Sequence, residues 1–298
     1  MNRLLWAVWM GYVSLIVLPV ADADESKSVQ RLTHDGHFKQ RPAWSPDGNR
    51  VLFARHEGST IFLWQLDLTT GEESRLTERT DPEYDAVFSP SGEDVLLAVD
   101  KASPNQGDID IHVIHLADGN AQPVAVTEGK LSHEEWPSWS PDGKRFTFTS
   151  TRHDNQEVYT ADRDGQNVER LTGDPATDMH PDWSPNGRTI AFATNRWGDL
   201  EIALYDLATH DLRQFTDSPG FDDYPTFSPD GHHIAFTTNR QGHFDIAIAN
   251  VATGRIILQT DDDSIENFPS WTPDGRVSYI SNRDGGFDLY VHDVLTLP

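Results

Sequence analysis

The chain has 298 residues, 37% hydrophobic and 10% aromatic, enough apolar material for a large core. Its 48 acidic residues against 23 Lys and Arg give a formal charge of −25, a field that repels nucleic acid and anionic lipid, so neither is expected as a partner. With no cysteine it forms no disulfide, carries no lipid on an N-terminal thiol and performs no thiol chemistry.

The N-terminal stretch carries one positive residue, Arg3, then an apolar run over 4–20, then Ala-Asp-Ala at 21–23. These are the three parts of a secretory signal peptide, predicted to be cut after Ala23. The rival reading is an uncleaved anchor, because the run approaches the ~20 residues of a membrane helix. Pro19 beside the small residues favours cleavage. A periplasmic or secreted product is therefore expected, with no stable membrane insertion, folded over residues 24–298.

From Arg41 onwards an octet recurs: RPAWSPDG, then WPSWSPDG at Trp136, HPDWSPNG at His180, YPTFSPDG at Tyr224 and FPSWTPDG at Phe268, with the weaker DAVFSPSG at Asp85. Its turn prolines, Pro46, Pro90, Pro141, Pro185, Pro229 and Pro273, are separated by 44, 51, 44, 44 and 44 residues. That period, with alternating segments such as RTIAFAT and HHIAFTT, predicts an all-β, six-bladed β-propeller of four-stranded antiparallel blades. In the turn, Pro presets φ and Gly accepts the left-handed conformation that follows. The aromatic before it (Trp44, Phe88, Trp139, Trp183, Phe227, Trp271) is expected to pack between blades.

Outer-strand segments ending in Thr precede each inner strand, yet none follows FDLYVHDVLTLP, while SVQRLT at 28–33 has no blade of its own. The N-terminal strand is therefore predicted to complete blade six and remove an exposed edge. The motif string x-L-T, P-x-W-S-P-D-G and S/T-N-R-x-G resembles the TolB-like propeller family from about Val29 onwards. The resemblance covers the propeller and not the α/β domain that precedes it in TolB. Propellers of this type also accompany peptidases and uronide lyases, so it implies the fold more than an activity.

Strand alternation puts the loops leading into the inner strands on one face with the N-R-x-G turns. Three residues before the octet proline, or before Ala86 in blade two, stand Lys39, Glu83, Glu134, Asp178, Asp222 and Glu266. The next position holds Gln40, Tyr84, Glu135, Met179, Asp223 and Asn267. The acids are expected around the axial mouth, as ligands for a basic peptide, a sugar or Ca²⁺. His133, His180 and Glu135 form the candidate set for Ca²⁺ or another divalent metal, although no zinc-type spacing is present. In the competing reading the acids simply pair with Arg152, Arg196, Arg240 and Arg283, between blades. Trp197 adds an exposed contact on this face, the insertion 101–108 lengthens a turn there, and the acid run 261–267 is a solvated loop or a Ca²⁺ ligand set.

No G-x-S-x-G elbow, phosphate loop or H-E-x-x-H motif is present. The chain reads as an exported, non-catalytic binding or scaffold propeller whose mouth takes a protein, a peptide or an envelope glycan. The alternative is a metal-dependent lyase or hydrolase acting on an acidic sugar.

Overall fold

A computed structural model describes residues 29–100, 108–118, 124–127 and 132–294. The signal-peptide stretch and the insertion at 101–107 lie outside the described residues. Six four-stranded antiparallel sheets follow one another as blades. Their inner strands are Lys39–Trp44, Glu83–Phe88, Glu134–Trp139, Asp178–Trp183, Asp222–Phe227 and Glu266–Trp271. Among the described residues no helix is long and apolar enough to cross a membrane.

The recurring octet builds the joints between blades. Gly48 N–H closes the turn onto the Ser45 carbonyl at 2.9 Å, and the Ser45 hydroxyl accepts the Arg50 N–H at 2.9 Å. Gly48 has φ 71°, which an L side chain adopts only with strain. The aromatic then inserts against the preceding blade: Trp139 packs with Leu96 and Ile111 of blade two, Trp271 with Ala235 and Ile248 of blade five. Burying such a side chain contributes roughly 1.5–3 kcal/mol, repeated at each joint.

The threonine ending each outer strand has a role that the sequence pattern alone leaves unexplained. Thr172 Oγ1 donates to Glu157 at 2.5 Å and accepts the Val158 N–H at 2.9 Å. Thr216 does the same with Glu201 and Ile202, and Thr33 with Asp288 and Leu289. One hydroxyl thus bonds both a buried carboxylate and a backbone donor on the third strand, locking the short fourth strand in place.

Ring closure follows the expected route. Val29–Arg31 pairs with Asp288–His292, from Val29 opposite His292 to Arg31 opposite Tyr290. Asp288 gathers the clasp, accepting from Arg31 at 2.6 Å, Thr33 at 2.8 Å and Lys39 at 3.0 Å. Lys39, the basic exception in the lead-in series, is fully buried and ties blade one to blade six through this carboxylate.

Candidate functional site

The lead-in acids do not line the axis as the sequence pattern suggested. Side chains of a blade strand point alternately to faces that neighbouring strands and blades cover, so an inner-strand position is not in itself an axial one. Glu83, Glu134, Asp178, Asp222 and Glu266 are all buried. Glu134 meets Arg152 at 3.2 Å, Asp178 meets Arg196 at 2.5 Å, Asp222 meets Arg240 at 3.0 Å and Glu266 meets Arg283 at 3.1 Å. Each pair joins the first strand of a blade to the end of its second strand or the turn just after it, within one blade and not between two. In blade two the corresponding position is Lys101, outside the described residues, and Glu83 accepts from the Thr77 hydroxyl.

The axis is lined two residues further on. Arg41, Asp85, Trp136, His180, Tyr224 and Phe268 all have left-handed φ, between 45° and 58°, at a register break in the inner strand. This bulge turns six chemically different side chains towards the channel. His180 stacks on Tyr224 with centroids 4.3 Å apart and stands 4.1 Å from Trp136, while Tyr224 meets Phe268 at 4.7 Å. Arg41 reaches over the Trp136 ring at 4.7 Å and donates to the Pro137 carbonyl at 2.7 Å. Arg41, Trp136, His180, Tyr224 and Phe268 surround a cavity of only about 100 Å³, while Asp85 faces the neighbouring cleft. Beneath it Asp182 accepts from Ser138 Oγ and from the Phe227 N–H, both at 2.8 Å, linking blades three, four and five.

Beside this plug, between blades one, two and three, a cleft of about 410 Å³ is lined by Gln40, Thr60, Ile61, Pro82, Tyr84, Asp85, Asp100, Glu135 and Trp136. Its acids are held differently from the buried ones. Glu135 has no Lys or Arg within 4 Å among the described residues; the nearest nitrogen of a titratable side chain is His133 Nδ1, 3.9 Å away. Burial, reinforced by Asp85, Glu134 and Asp100, pushes the Glu135 carboxyl up to about 7. Burial also raises Asp100 and Asp85, the latter against the pull of Arg41 at 3.9 Å.

The suggested metal set does not gather. His180 Nδ1 is engaged by Asp223 Oδ1 at 2.6 Å with its ring against Trp136, whereas His133 lies by Glu135. Among the described residues, the group with donor atoms close enough to share an ion is His243, Asp245 and Asp261. Trp197 is exposed on its turn in blade four, with Arg196 over the ring at 5.9 Å. Of the cleft residues the sequence pattern named Glu135 as a candidate, with Tyr84 and Gln40 as occupants of the same position, and did not single out Arg41, Asp85, Asp100 or Trp136. For Arg41, Asp85 and Trp136 the available signal was the unlike chemistry at the first position of an octet whose turn is uniform.

The TolB beta propeller domain model (PD40) matches residues 14–216 and 153–296. An uncharacterized protein of Agrobacterium fabrum is 29% identical over 122 residues, 40% of this chain and 42% of that protein. The Tol-Pal system protein TolB of Francisella tularensis subsp. holarctica is 26% identical over 110 residues, 37% of this chain and 25% of its own length. The chain thus spans less than half the length of these curated relatives. Among solved structures, a TolB candidate from Agrobacterium tumefaciens aligns over 90% of this chain and 97% of its own, at 23% identity and a TM-score of 0.71. An oligogalacturonate lyase in complex with manganese covers 92% and 95%, at 16% identity and a TM-score of 0.61. At these identities the likeness is one of fold.

Proposed function

The chain belongs to the TolB β-propeller family, and from that premise we propose that it is a binding module, exported to the periplasm, whose axial mouth receives a partner protein through a basic side chain. One observation carries the reading: Glu135 and Asp100 line a cleft with an aromatic wall, and among the described residues neither has an arginine or lysine partner, whereas four of the five buried lead-in acids are matched to arginines. A lysine or arginine side chain entering beside Trp136 supplies the missing cation and stacks on an aromatic face. The charge of −25 draws such a partner towards the surface before contact. The Tol-Pal relatives fit a role among envelope proteins.

A lyase or hydrolase acting on an acidic sugar fits the mouth less well. Its polyanionic substrate meets Glu135, Asp85 and Asp100, and the His133, His180 and Glu135 donors do not converge.

The test is calorimetric titration with a lysine- and arginine-bearing peptide and its neutral citrulline and norleucine twin. The basic peptide should bind, and Glu135→Gln with Asp100→Asn should weaken it more than about tenfold, the loss of at least 1.4 kcal/mol. Since the Glu135 carboxyl titrates near 7 in the free protein, affinity should fall about tenfold between pH 8 and pH 6 as the charged form is depleted. Equal binding of both peptides, or binding unaffected by the double variant, would overturn the proposal.

A further inference from the structure

The geometry points to a second site, away from the mouth cleft: a divalent first-row transition cation held by His243, Asp245 and Asp261 at the third and fourth strands of blade five. The six blades serve as controls for one another. In blades three and six the acid that begins the third strand is neutralised by an arginine from the outer strand, Arg170 on Glu157 at 2.7 Å and Arg31 on Asp288 at 2.6 Å. Both arginines stand opposite the residue two places along from the acid, Tyr159 and Tyr290. In blade five the same register position, opposite Ala247, is Leu258. Asp245 is fully buried all the same, so it keeps the carboxylate and lacks the guanidinium.

Blade four, with Gln214 at that position, solves the problem with neutral donors. Its Glu201 accepts from the Thr216 hydroxyl at 2.6 Å and from the Ser218 N–H at 2.8 Å, one bond on each oxygen. Asp245 has only one such bond, from Thr260 Oγ1 at 3.2 Å. Its other oxygen, Oδ2, is buried and receives no hydrogen bond among the described residues. What faces it is His243 Nδ1, 2.9 Å away and likewise without a hydrogen bond, with Asp261 completing a group whose donor atoms all lie within 4.8 Å.

A buried carboxylate oxygen whose one near neighbour among the described side chains is an imidazole nitrogen, with a second carboxylate beside them, forms a ligand set. Donors about 2.0–2.1 Å from a tetrahedral ion stand about 3.3 Å apart, within reach of these side chains by small rotations. The imidazole selects Zn²⁺ or a similar ion over Mg²⁺ and Ca²⁺, which prefer oxygen ligands throughout. The combination of an imidazole with two carboxylates is confined to blade five, since the equivalent trios are Thr60, Phe62 and Glu78 in blade one, Asp108, Asp110 and Glu128 in blade two, Asn155, Glu157 and Gly173 in blade three, Asp199, Glu201 and Asp217 in blade four, and Gly286, Asp288 and His34 in blade six. The cation takes the place that arginine fills in blades three and six.

The experiment is titration calorimetry of the chelator-stripped full chain with Zn²⁺ alone, in the native protein, Asp261→Asn and Leu258→Arg. Asp261 is exposed, so its substitution leaves the fold intact. Leu258→Arg supplies the guanidinium that blades three and six carry. One saturable site in the native protein, weakened more than about tenfold in both variants while each still melts cooperatively, is the expected result. Absence of a saturable site in the native protein, or binding unchanged in Asp261→Asn, would overturn the assignment, the latter by moving the ion to other histidines.

Discussion

Glu135→Gln should stabilise this protein at pH 8 and change it little at pH 5. The Glu135 carboxyl is raised from 4.5 to about 7, first by burial and then by the neighbouring Asp85, Glu134 and Asp100. A raised carboxyl holds its proton in the folded state at pH values where the unfolded chain has lost it. Its contribution is therefore fully present below about 4.5 and is lost as pH rises towards 7. At about 1.4 kcal/mol per pH unit, the ionised side chain costs the fold about 3 kcal/mol at pH 8 and less than about 1 kcal/mol at pH 5. Glutamine keeps the shape and removes the charge. For a domain of this size each kcal/mol moves the midpoint by roughly 2 °C, so Tm should rise by about 6 °C at pH 8 and by about 2 °C or less at pH 5. Differential scanning calorimetry at the two pH values decides the matter. An equal shift at both, or a lower Tm at pH 8, would refute the view of Glu135 as a half-buried acid with no Lys or Arg partner. The same substitution weakens a basic ligand in the proposed binding role, so stability and binding should change in opposite directions.

Further expectations concern the ring itself. Lys39→Met removes a fully buried cation from Asp288, which keeps Arg31 and Thr33; a loss of about 3 kcal/mol, the low end for a broken buried pair, is expected in the denaturant midpoint, and a loss below about 1 kcal/mol would make the clasp incidental. Deleting Val29–Thr33 opens the edge of blade six and should lower Tm by more than about 10 °C, whereas unchanged melting would sink the closure model. Asp182→Ala leaves the Phe227 N–H and the Ser138 hydroxyl without an acceptor beneath the axial plug and should cost about 2–3 kcal/mol by urea unfolding with an unchanged m-value; a neutral outcome would mean that water replaces the carboxylate. Trp197→Ala, on an exposed turn, should leave Tm within about 1 °C, and a larger drop would show that the indole is packed.

The fold was legible because its causes are local and repeated. The turn needs Pro and Gly at fixed positions, the joint needs an aromatic just before them, and each requirement appears six times in register, the weakest copy being DAVFSPSG. Even the closing strand could be read, since an outer strand was missing at one end and SVQRLT was surplus at the other. The candidate site was less legible, for a geometric reason. Counting along an inner strand gives the face on which a side chain lies, but not the bulge that turns Arg41, Asp85, Trp136, His180, Tyr224 and Phe268 inward. The acid series therefore looked axial when it is buried against arginines of the same blade. Asp100 was out of reach for another reason: it ends the second strand of blade two and joins Glu135 of blade three only once the blades are packed.

What separates scaffold from site in this ring is the behaviour of each position across the blades. A charge repeated in every blade must be neutralised in every blade, because an unpaired buried carboxylate costs several kcal/mol and the cost multiplies with the copies. Hence the recurrent pairs of Glu134, Asp178, Asp222 and Glu266 with arginines, and the recurrent threonine beneath the third strand. An acid that lacks the partner found in other blades breaks the pattern locally, and the fold can bear its cost there. Glu135 and Asp245 are of this kind: Glu135 shares its position with Gln40, Tyr84, Met179, Asp223 and Asn267, of which the one other acid, Asp223, is engaged by His180, and Asp245 faces Leu258 where blades three and six carry an arginine. Neither has an arginine or lysine partner among the described residues, and a charge kept at that cost is best satisfied by a cation from outside the chain. For Glu135 that cation is a partner's side chain, and for Asp245 it is a metal ion. If both sites filled, the stability each acid withholds from the free protein at neutral pH would be recovered on binding, and Tm would rise separately with the basic peptide and with Zn²⁺.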